Sequence, residues 1–342
     1  MKGLRRVSAV IIGFVLFISG ILKLMDPVGA GLVVEEYLKF FHLRFLSFMS
    51  GAAGVAFALA ETLTGAALIT GVWRRVTGIV TGALLAFFTL LTLILLVFNP
   101  SMDCGCFGEA LHLTHLQSFL KNLVLCGLWA LAALPLSAQE QPRKTKYAAF
   151  VIAVLSVLVF TVMSLTGIPL LDFTPYSPGT ELQSEGAFLS FSDAEGVYCD
   201  SLAVESQAAV ISVYDCRKMS AKDWAGTESA MDDASRAGFR PLLLVASTPS
   251  AFAATAPESL VSRAYFADRR DLLTLNRSNG GMTLLSDAQI VVKWPARARK
   301  DLSGYAVSDA ARATELMMEK EAASKMKMQG FLLYVFAVML LL

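Results

Sequence analysis

The sequence predicts an α-helical membrane protein that carries a soluble α/β domain. The 342-residue chain is 55% hydrophobic and 17% charged, whereas soluble domains carry about 25% charged residues. Long apolar runs fill the first half of the chain, and from about Pro169 the composition becomes that of a soluble protein. The formal net charge of +1 provides no basic field that would attract nucleic acid.

The first apolar run, Val7 to Leu24, predicts an uncleaved membrane helix. It is longer than the ~7–15-residue core of a signal peptide, and it ends in KLMDP instead of a small-residue cleavage site. Asp26-Pro27 should end this helix, because a residue before proline avoids the helical region. We expect Lys23, Asp26 and Pro27 to form a structural helix end, with Lys23 reaching the membrane surface.

Two further runs, 45–72 and 76–98, predict the second and third membrane helices. Both are rich in glycine and alanine, which let helix backbones approach closely in lipid. Glu61 lies near the middle of the second run, where a charge costs about 2.5–3.5 kcal/mol. Its side chain should therefore face the bundle interior, either in a structural hydrogen bond or in a proton or quinone site. Lys23 is a candidate partner.

The loop that follows contains DCGCFG, in which Cys104 and Cys106 flank Gly105. A disulfide between them would close a minimal loop, and such a bond adds little stability. Gly105 permits the required bend because it has no Cβ, and strained, exposed disulfides are the labile kind. The pattern favours thiol–disulfide exchange, in which one thiolate attacks and the other resolves. Lys121 is a candidate for lowering a thiol pKa.

Two other interpretations of this loop stay open. Cys104, Cys106, His112 and His115 form a Cys2His2 set that could bind zinc, although the spacing C-x-C-x5-H-x2-H matches no common zinc pattern. The cysteines could also serve only to rigidify a turn. Outside this loop, Cys126 is expected to be a packing residue in the fourth helix. Cys199 and Cys216 could pair with each other or with the CxC pair.

Thr114 and Gln117 have capping-box spacing and predict the start of a fourth helix, which should end by about Leu136. The basic link QEQPRKTK and a fifth run, Tyr147 to Ile168, follow it. Lys and Arg are concentrated in the segments that lie inside if the N-terminus is cytoplasmic. This orientation places the cysteine loop and the soluble domain outside, in the compartment where disulfides persist.

The soluble part alternates strand and helix patterns. Residues 208–214 and 241–246 are apolar strands around a helix over 222–237, and 282–285 and 290–294 flank a hairpin turn. This order predicts a small α/β domain. The charged stretch 315–327 indicates a helix. The apolar residues 330–342 are short for a span of ~20 residues, so they either complete a sixth crossing with the residues before them or lie against the bundle.

Three blocks, FISGILKLMDP, ETLTGAALITG and DCGCFG, resemble the DoxX-like, MauE-type family of membrane proteins. The resemblance implies a four-helix transmembrane domain over 1–138, in which Cys104 and Cys106 correspond to the family's cysteine pair. MauE is associated with the maturation of a disulfide-rich dehydrogenase subunit. Methylamine comes only with the family name, since nothing in the sequence would recognise a small amine.

The layout is similar to a Bacteroidota version of the family. A basic cytoplasmic link and fifth helix (139–168), an exocytoplasmic domain (169–325) and an apolar C-terminal segment (326–342) follow the core. The exocytoplasmic domain is similar to thioredoxin folds, but Asp215-Cys216-Arg217-Lys218 stands where a CxxC would follow the strand. Asn279-Gly280-Gly281 stands where a proline would precede the hairpin. We therefore expect a degenerate domain that docks a partner.

These observations predict an accessory membrane component for thiol–disulfide exchange or electron transfer with exocytoplasmic proteins. A quinone is the candidate cofactor. The alternative is a non-enzymatic scaffold that recruits a partner and whose CxC turn is structural. Membrane lipid and an exocytoplasmic protein are the expected partners, and nucleic acid is not.

Overall fold

A computed structural model describes residues 2–134, 142–184, 187–205, 207–299, 302 and 310–341. The chain divides into two compact units. The helical unit comprises the residues up to Thr166 and those from Lys327 onward, and the sheet unit comprises Gly167–Met326. The predicted end of the fourth helix near Leu136 lies outside the described residues.

The helical unit is built from long helices and one short strand. In chain order the elements are α1 (Lys2–Met25), α2 (Pro27–Phe40), α3 (Ser50–Thr70), α4 (Arg74–Phe98), β1 (Cys106–Glu109), α5 (His115–Ala133), α6 (Lys144–Thr166) and the C-terminal part of α11 (Ala310–Leu341). Within the described part of the chain, six helices are long and apolar enough to cross a membrane; α2 is not among them.

The first turns and ends of these helices agree with the local sequence signals. The helix α1 ends at Met25, and the Asp26 side chain accepts a hydrogen bond from Gly29 N at 2.9 Å as the N-cap of α2. The capping box at Thr114 and Gln117 begins α5 as predicted. The charged and apolar C-terminal stretches form one continuous helix, α11, whose Phe331 stacks on Phe160 of α6.

The small residues of α3 serve as packing positions, as the sequence predicted. A Cβ added at Gly65 would lie 2.6 Å from the carbonyl oxygen of Gly13 in α1, and one at Gly54 would lie 2.8 Å from the backbone of Ala30 in α2. Backbones that approach this closely gain van der Waals contact that larger side chains would prevent. This close packing holds both α1 and α2 against α3, and it brings Glu61 of α3 close to α1.

The sheet unit contains a six-stranded mixed sheet. Its strands are β2 (Phe191–Ser192), β3 (Ala208–Val213), β4 (Arg240–Val245), β5 (Ala264–Ala267), β6 (Gly281–Ser286) and β7 (Gln289–Trp294). The order across the sheet is β2-β5-β4-β3-β6-β7. The central strands β3, β4 and β5 are parallel, whereas β2, β6 and β7 run antiparallel to their neighbours.

Apolar side chains cover both faces of this sheet. Alternate residues of β3 enter two separate cores: Ile211 packs with Trp224 and Phe252 on one side, while Val210 packs with Leu272 on the other. A strand buried on both faces reads as a continuous apolar run, which is why 208–214 could be recognised in the sequence. The helices of this unit are α7 (Ala221–Arg236), α8 (Pro249–Ala253), α9 (Glu258–Val261) and α10 (Arg269–Leu275).

The predicted hairpin is present, and a two-residue turn joins β6 to β7. The turn residues Asp287 and Ala288 have φ values of 48° and 62°. Positive φ at both central positions is the backbone that matches the twist of a two-residue hairpin. The strands β3, β4, β6 and β7, the helix after β3 and the hairpin therefore follow local sequence signals, whereas the short strands β2 and β5 were not predicted.

Candidate functional site

The cysteine loop lies between α4 and α5, and Cys104, Gly105 and Cys106 form its tight bend. Gly105 has a φ of 64°, a conformation that L-residues with a side chain rarely adopt. A Cβ at this position would also collide with the Val33 side chain of α2. Two separate constraints therefore require glycine between the cysteines.

Side chains from two helices hold the backbone of this bend. The Tyr37 hydroxyl of α2 donates to the carbonyl oxygen of Cys104 at 2.8 Å. The Ser19 hydroxyl of α1 lies 2.6 Å from the carbonyl oxygen of Cys106 and 2.8 Å from Glu61 Oε2, and it can donate to either. The loop is thus tied to the bundle by hydrogen bonds that the sequence did not reveal.

Glu61 forms a buried ion pair with Lys23. The Lys23 ammonium lies 2.6 Å from Glu61 Oε1 and 2.7 Å from Oε2, and these side chains are 12% and 3% exposed. The same nitrogen lies 3.3 Å from Ser19 Oγ. Lys23 is thus the partner of Glu61 that the sequence suggested, and the ammonium of this expected helix end is turned toward the carboxylate of α3. The Asp26 part of that expected helix end is present as the N-cap of α2.

The two thiols of the bend are free and interact with each other. The hydrogen bond from Cys104 lowers the pKa of Cys106; burial opposes this shift, and the positive charges of Lys121 and Lys23 add to it. The same hydrogen bond to Cys106, together with burial, raises the pKa of Cys104. The two shifts have opposite directions, which favours the thiolate at Cys106 and the thiol at Cys104.

A cavity of about 390 Å³ lies directly beside this pair. Its volume falls within the range of small-molecule sites, about 300–1,000 Å³. Most of its walls are apolar, and two of its polar side chains, Ser19 and Tyr37, hydrogen-bond to the backbone of the cysteine loop. The polar and thiol-bearing residues that line it are Ser19, Lys23, Tyr37, Glu61, Thr92, Cys104, Cys106, Lys121 and Asn122.

The structure does not assemble the Cys2His2 set. His112 Nδ1 lies 2.8 Å from Asp103 Oδ2, and His115 Nε2 lies 3.1 Å from the carbonyl oxygen of Pro100. Among the described residues, no group of three or more His, Cys, Asp or Glu side chains is arranged to hold a metal ion. Each histidine instead forms a hydrogen bond between the end of the loop and its beginning.

The remaining cysteines lie apart from this site or in the other unit. Cys126 packs in the helical core, 3.5 Å from Thr89 Oγ1. In the sheet unit, Cys199 and Cys216 are free and pack against different cores on the two faces of the sheet. Burial raises the pKa of Cys216, so neither burial nor position marks it as a reactive thiol.

The family model described as "Methylamine utilisation protein MauE" matches residues 1–137. This range ends before α6 and contains the whole cysteine loop together with α1 to α5. No curated protein and no solved structure matches the chain.

Proposed function

We propose that this chain, whose residues 1–137 belong to the MauE-type membrane family, exchanges disulfides with exocytoplasmic proteins through Cys104 and Cys106. The family and the apolar helices make the chain an integral membrane protein. The observation that carries this proposal is the contact between the two thiols beside Lys121, at the edge of a membrane-embedded cavity. A structural turn needs neither a thiolate nor an adjoining cavity.

In the proposed reaction the Cys104–Cys106 disulfide oxidises a partner dithiol. A partner thiolate attacks Cys104 Sγ, the bond between the two cysteines breaks, and Cys106 leaves as a thiolate. The second partner thiolate then attacks the partner's own sulfur and releases Cys104, which takes up a proton. Cys106 is the better leaving group, because a thiol of lower pKa leaves faster. The partner is therefore joined to Cys104 in the mixed disulfide.

The surroundings of Cys106 favour this direction of attack. The cations of Lys121 and Lys23 stabilise the departing thiolate, and charges act strongly at short range in a poorly solvated site. The residue Cys104 is only 7% exposed, so partner attack requires the loop around the exposed Asp103 to move. Gly105 supplies the backbone freedom for a bend between cysteines two residues apart.

The distribution of arginine supports a periplasmic cysteine loop. Arg5, Arg6 and Arg74 line one cavity at the end of α1 that is opposite the cysteine loop. Basic residues near helix ends favour the cytoplasmic side. With this orientation the thiols face the oxidising compartment of a bacterial inner membrane.

The sheet unit fits the role of a docking domain of thioredoxin type. Four of its strands have the order β4-β3-β6-β7, with β3 and β4 parallel and the hairpin antiparallel. Cys216 is the one cysteine in the segment that follows β3. The Asn279 side chain is hydrogen-bonded to the backbone of this segment: its Oδ1 accepts from Tyr214 N and Asp215 N, and its Nδ2 donates to the carbonyl oxygen of Asp215. This unit would then select the partner while the CxC loop reacts.

A mixed-disulfide experiment tests the proposal. The trap uses the reverse step: in the Cys106→Ser variant, Cys104 can attack the disulfide of an oxidised exocytoplasmic protein, and no second loop thiol remains to break the mixed disulfide. The covalent complex should accumulate, and a reducing agent should dissolve it. The reduced wild-type chain should also lose both loop thiols on incubation with oxidised glutathione. The Cys126→Ser variant is the control and should behave as wild type. A pair whose thiols never change redox state in cells, measured with a mass-tagged maleimide, would overturn the proposal and favour the scaffold.

A further inference from the structure

The cavity beside the thiols extends from the bundle interior to the lipid-facing side of the helices. Leu16, Leu85 and Leu125 line it and are at most 5% exposed, whereas Phe87 and Leu90 of α4 line it and are 45% and 58% exposed. In a chain that crosses a membrane, such exposed side chains face lipid. A ligand can therefore enter this cavity sideways from the bilayer.

Aromatic rings line the lipid-facing part of the cavity. Phe57 of α3 stacks on Phe87 of α4 with ring centroids 5.6 Å apart. Phe88 lies within 5.5 Å of the Lys23 ammonium, measured to the ring centroid. Flat rings beside a cation suit a planar ligand that carries carbonyl oxygens, since the rings stack and the ammonium donates to oxygen.

The proposed exchange reaction leaves the Cys104–Cys106 pair reduced, and the pair must lose two electrons before another cycle. The acceptor has to reach thiols at the edge of a membrane-embedded, largely apolar cavity. It must also accept protons, because two thiols release two protons when they form a disulfide. A lipid-soluble carrier of two electrons and two protons meets all these requirements.

We propose that this cavity binds the ring of an isoprenoid quinone and that the ring oxidises Cys104 and Cys106. This inference rests on the proposed function and names its electron acceptor. The ring lies between the aromatic side chains, with one carbonyl oxygen facing the Lys23 and Lys121 ammonium groups. The isoprenoid tail leaves along the face of α4 that carries Phe87 and Leu90 and enters the bilayer.

The oxidation balances without any further reactant. The Cys106 thiolate gives two electrons to the quinone as the Cys104 sulfur closes the S–S bond on it. The proton of Cys104 and the second proton of the partner dithiol, which was released to the medium during the exchange, end on the two quinone oxygens. Two thiols and one quinone thus give one disulfide and one quinol. Lys23, Ser19 and Glu61 form the hydrogen-bonded path that leads protons along the polar side of the cavity.

The test uses the full chain, purified in lipid nanodiscs, reduced, and kept without oxygen. Decylubiquinone is the probe; its binding is measured by titration calorimetry, and the loop thiols are counted with a mass-tagged maleimide. We expect saturable binding and the formation of one quinol for each disulfide. The Cys104→Ser/Cys106→Ser double variant should still bind the quinone and should form no quinol.

A cavity-filling variant locates the site. Val34 of α2 lines the cavity, and the Val34→Phe variant should weaken quinone binding by about tenfold or more, because the added phenyl ring fills space that the quinone ring needs. Val80→Phe, at a 41% exposed position of α4 outside the cavity, is the matched control. Exchange with oxidised glutathione should persist in both variants.

The outcomes separate this inference from the proposed function. Thiols that exchange with glutathione but neither bind nor reduce the quinone would overturn the quinone inference alone. Quinone binding that Val34→Phe leaves unchanged would overturn the assignment to this cavity. A chain that binds the quinone while its thiols exchange with neither glutathione nor quinone would overturn the proposed function. Binding of nanodisc phospholipid that the quinone cannot displace would assign the cavity to an acyl chain and overturn the inference.

Discussion

The Lys23 ammonium of α1 lies 2.6 Å from the Glu61 carboxylate of α3, and both side chains are almost fully withdrawn from the surface. These two charges stand 38 residues apart in the chain. Ser19 connects them to the cysteine loop, since its hydroxyl contacts both Glu61 and the carbonyl oxygen of Cys106. The pair therefore contributes both to the packing of two helices and to the position of the cysteine loop.

Removing one charge of this pair should lower the stability of the chain more than removing both charges. Lys23→Met leaves the Glu61 carboxylate buried without its cation, which costs about 3–5 kcal/mol. The Lys23→Met/Glu61→Leu double variant should recover most of that loss. Thermal unfolding of the detergent-solubilised wild type, both single variants and the double variant gives the free energies for this double-mutant cycle. Lys39→Met, which removes a half-exposed charge paired with Glu35, should change stability by less than about 1 kcal/mol. Additive effects of the two single substitutions would contradict a direct pair.

Gly105→Ala should disable the loop. The positive φ at this position costs an L-residue with a side chain about 1–2 kcal/mol, and the new Cβ would collide with Val33. We expect the loop thiols of this variant to exchange with oxidised glutathione at least several-fold more slowly. Gly127→Ala in α5 is the control, because nothing lies within 4 Å of its added Cβ. Equal exchange rates in the two variants would show that the bend is not needed.

The alkylation of the two loop thiols should depend on pH in different ways. Because its pKa is lowered, Cys106 should react with iodoacetamide well below pH 8.5, the ordinary thiol pKa being about 8.5. Cys104, whose pKa is raised, should react slowly over the same range. The Lys121→Gln variant removes a cation and should move the Cys106 profile to higher pH, as followed by peptide mass spectrometry. The Lys39→Gln variant should leave the profile in place. An unchanged profile in Lys121→Gln would remove this lysine from the site.

A second buried pair should stabilise the sheet unit. Burial raises the pKa of Asp172, but the Lys293 ammonium at 2.6 Å and hydrogen bonds from Thr174 outweigh it, and the pKa lies below its ordinary value. The resulting stability is present above the pKa of an unfolded aspartate, about 3.9, and is lost as pH falls through the lower folded value. Asp172→Asn should therefore cost about 3–5 kcal/mol near neutral pH, and this difference should shrink under acid conditions.

Urea unfolding followed by pulse proteolysis of the full chain measures the Asp172 effect. Asp233→Asn is the matched control, because Asp233 pairs with Arg236 on the surface and such pairs contribute less than about 1 kcal/mol. A loss of stability in Asp172→Asn that stays constant from neutral to acid pH would exclude the ionised pair as its cause.

The sequence pointed to the cysteine loop as the candidate site and missed most of the contacts that hold it. A CxC motif between apolar runs and a carboxylate in the middle of a span are local anomalies, so Cys104, Cys106 and Glu61 could be chosen by inspection. Ser19 and Tyr37 carry no such signal, because a hydroxyl in a helix usually bonds to its own backbone or faces the headgroups. Their roles depend on which way each helix is turned.

The sequence alone determined the elements that depend on neighbouring residues. The break at Asp26-Pro27, the capping box at Thr114, the apolar spans and the doubly buried strand β3 all follow from periods and caps that a short window contains. The tertiary structure decided the contacts that join distant segments: Lys23 turned inward to Glu61, Val33 pressed against Gly105, and a cavity opened beside Cys106. The physical reason is that helix rotation and close packing set these contacts, and both depend on all the helices at once.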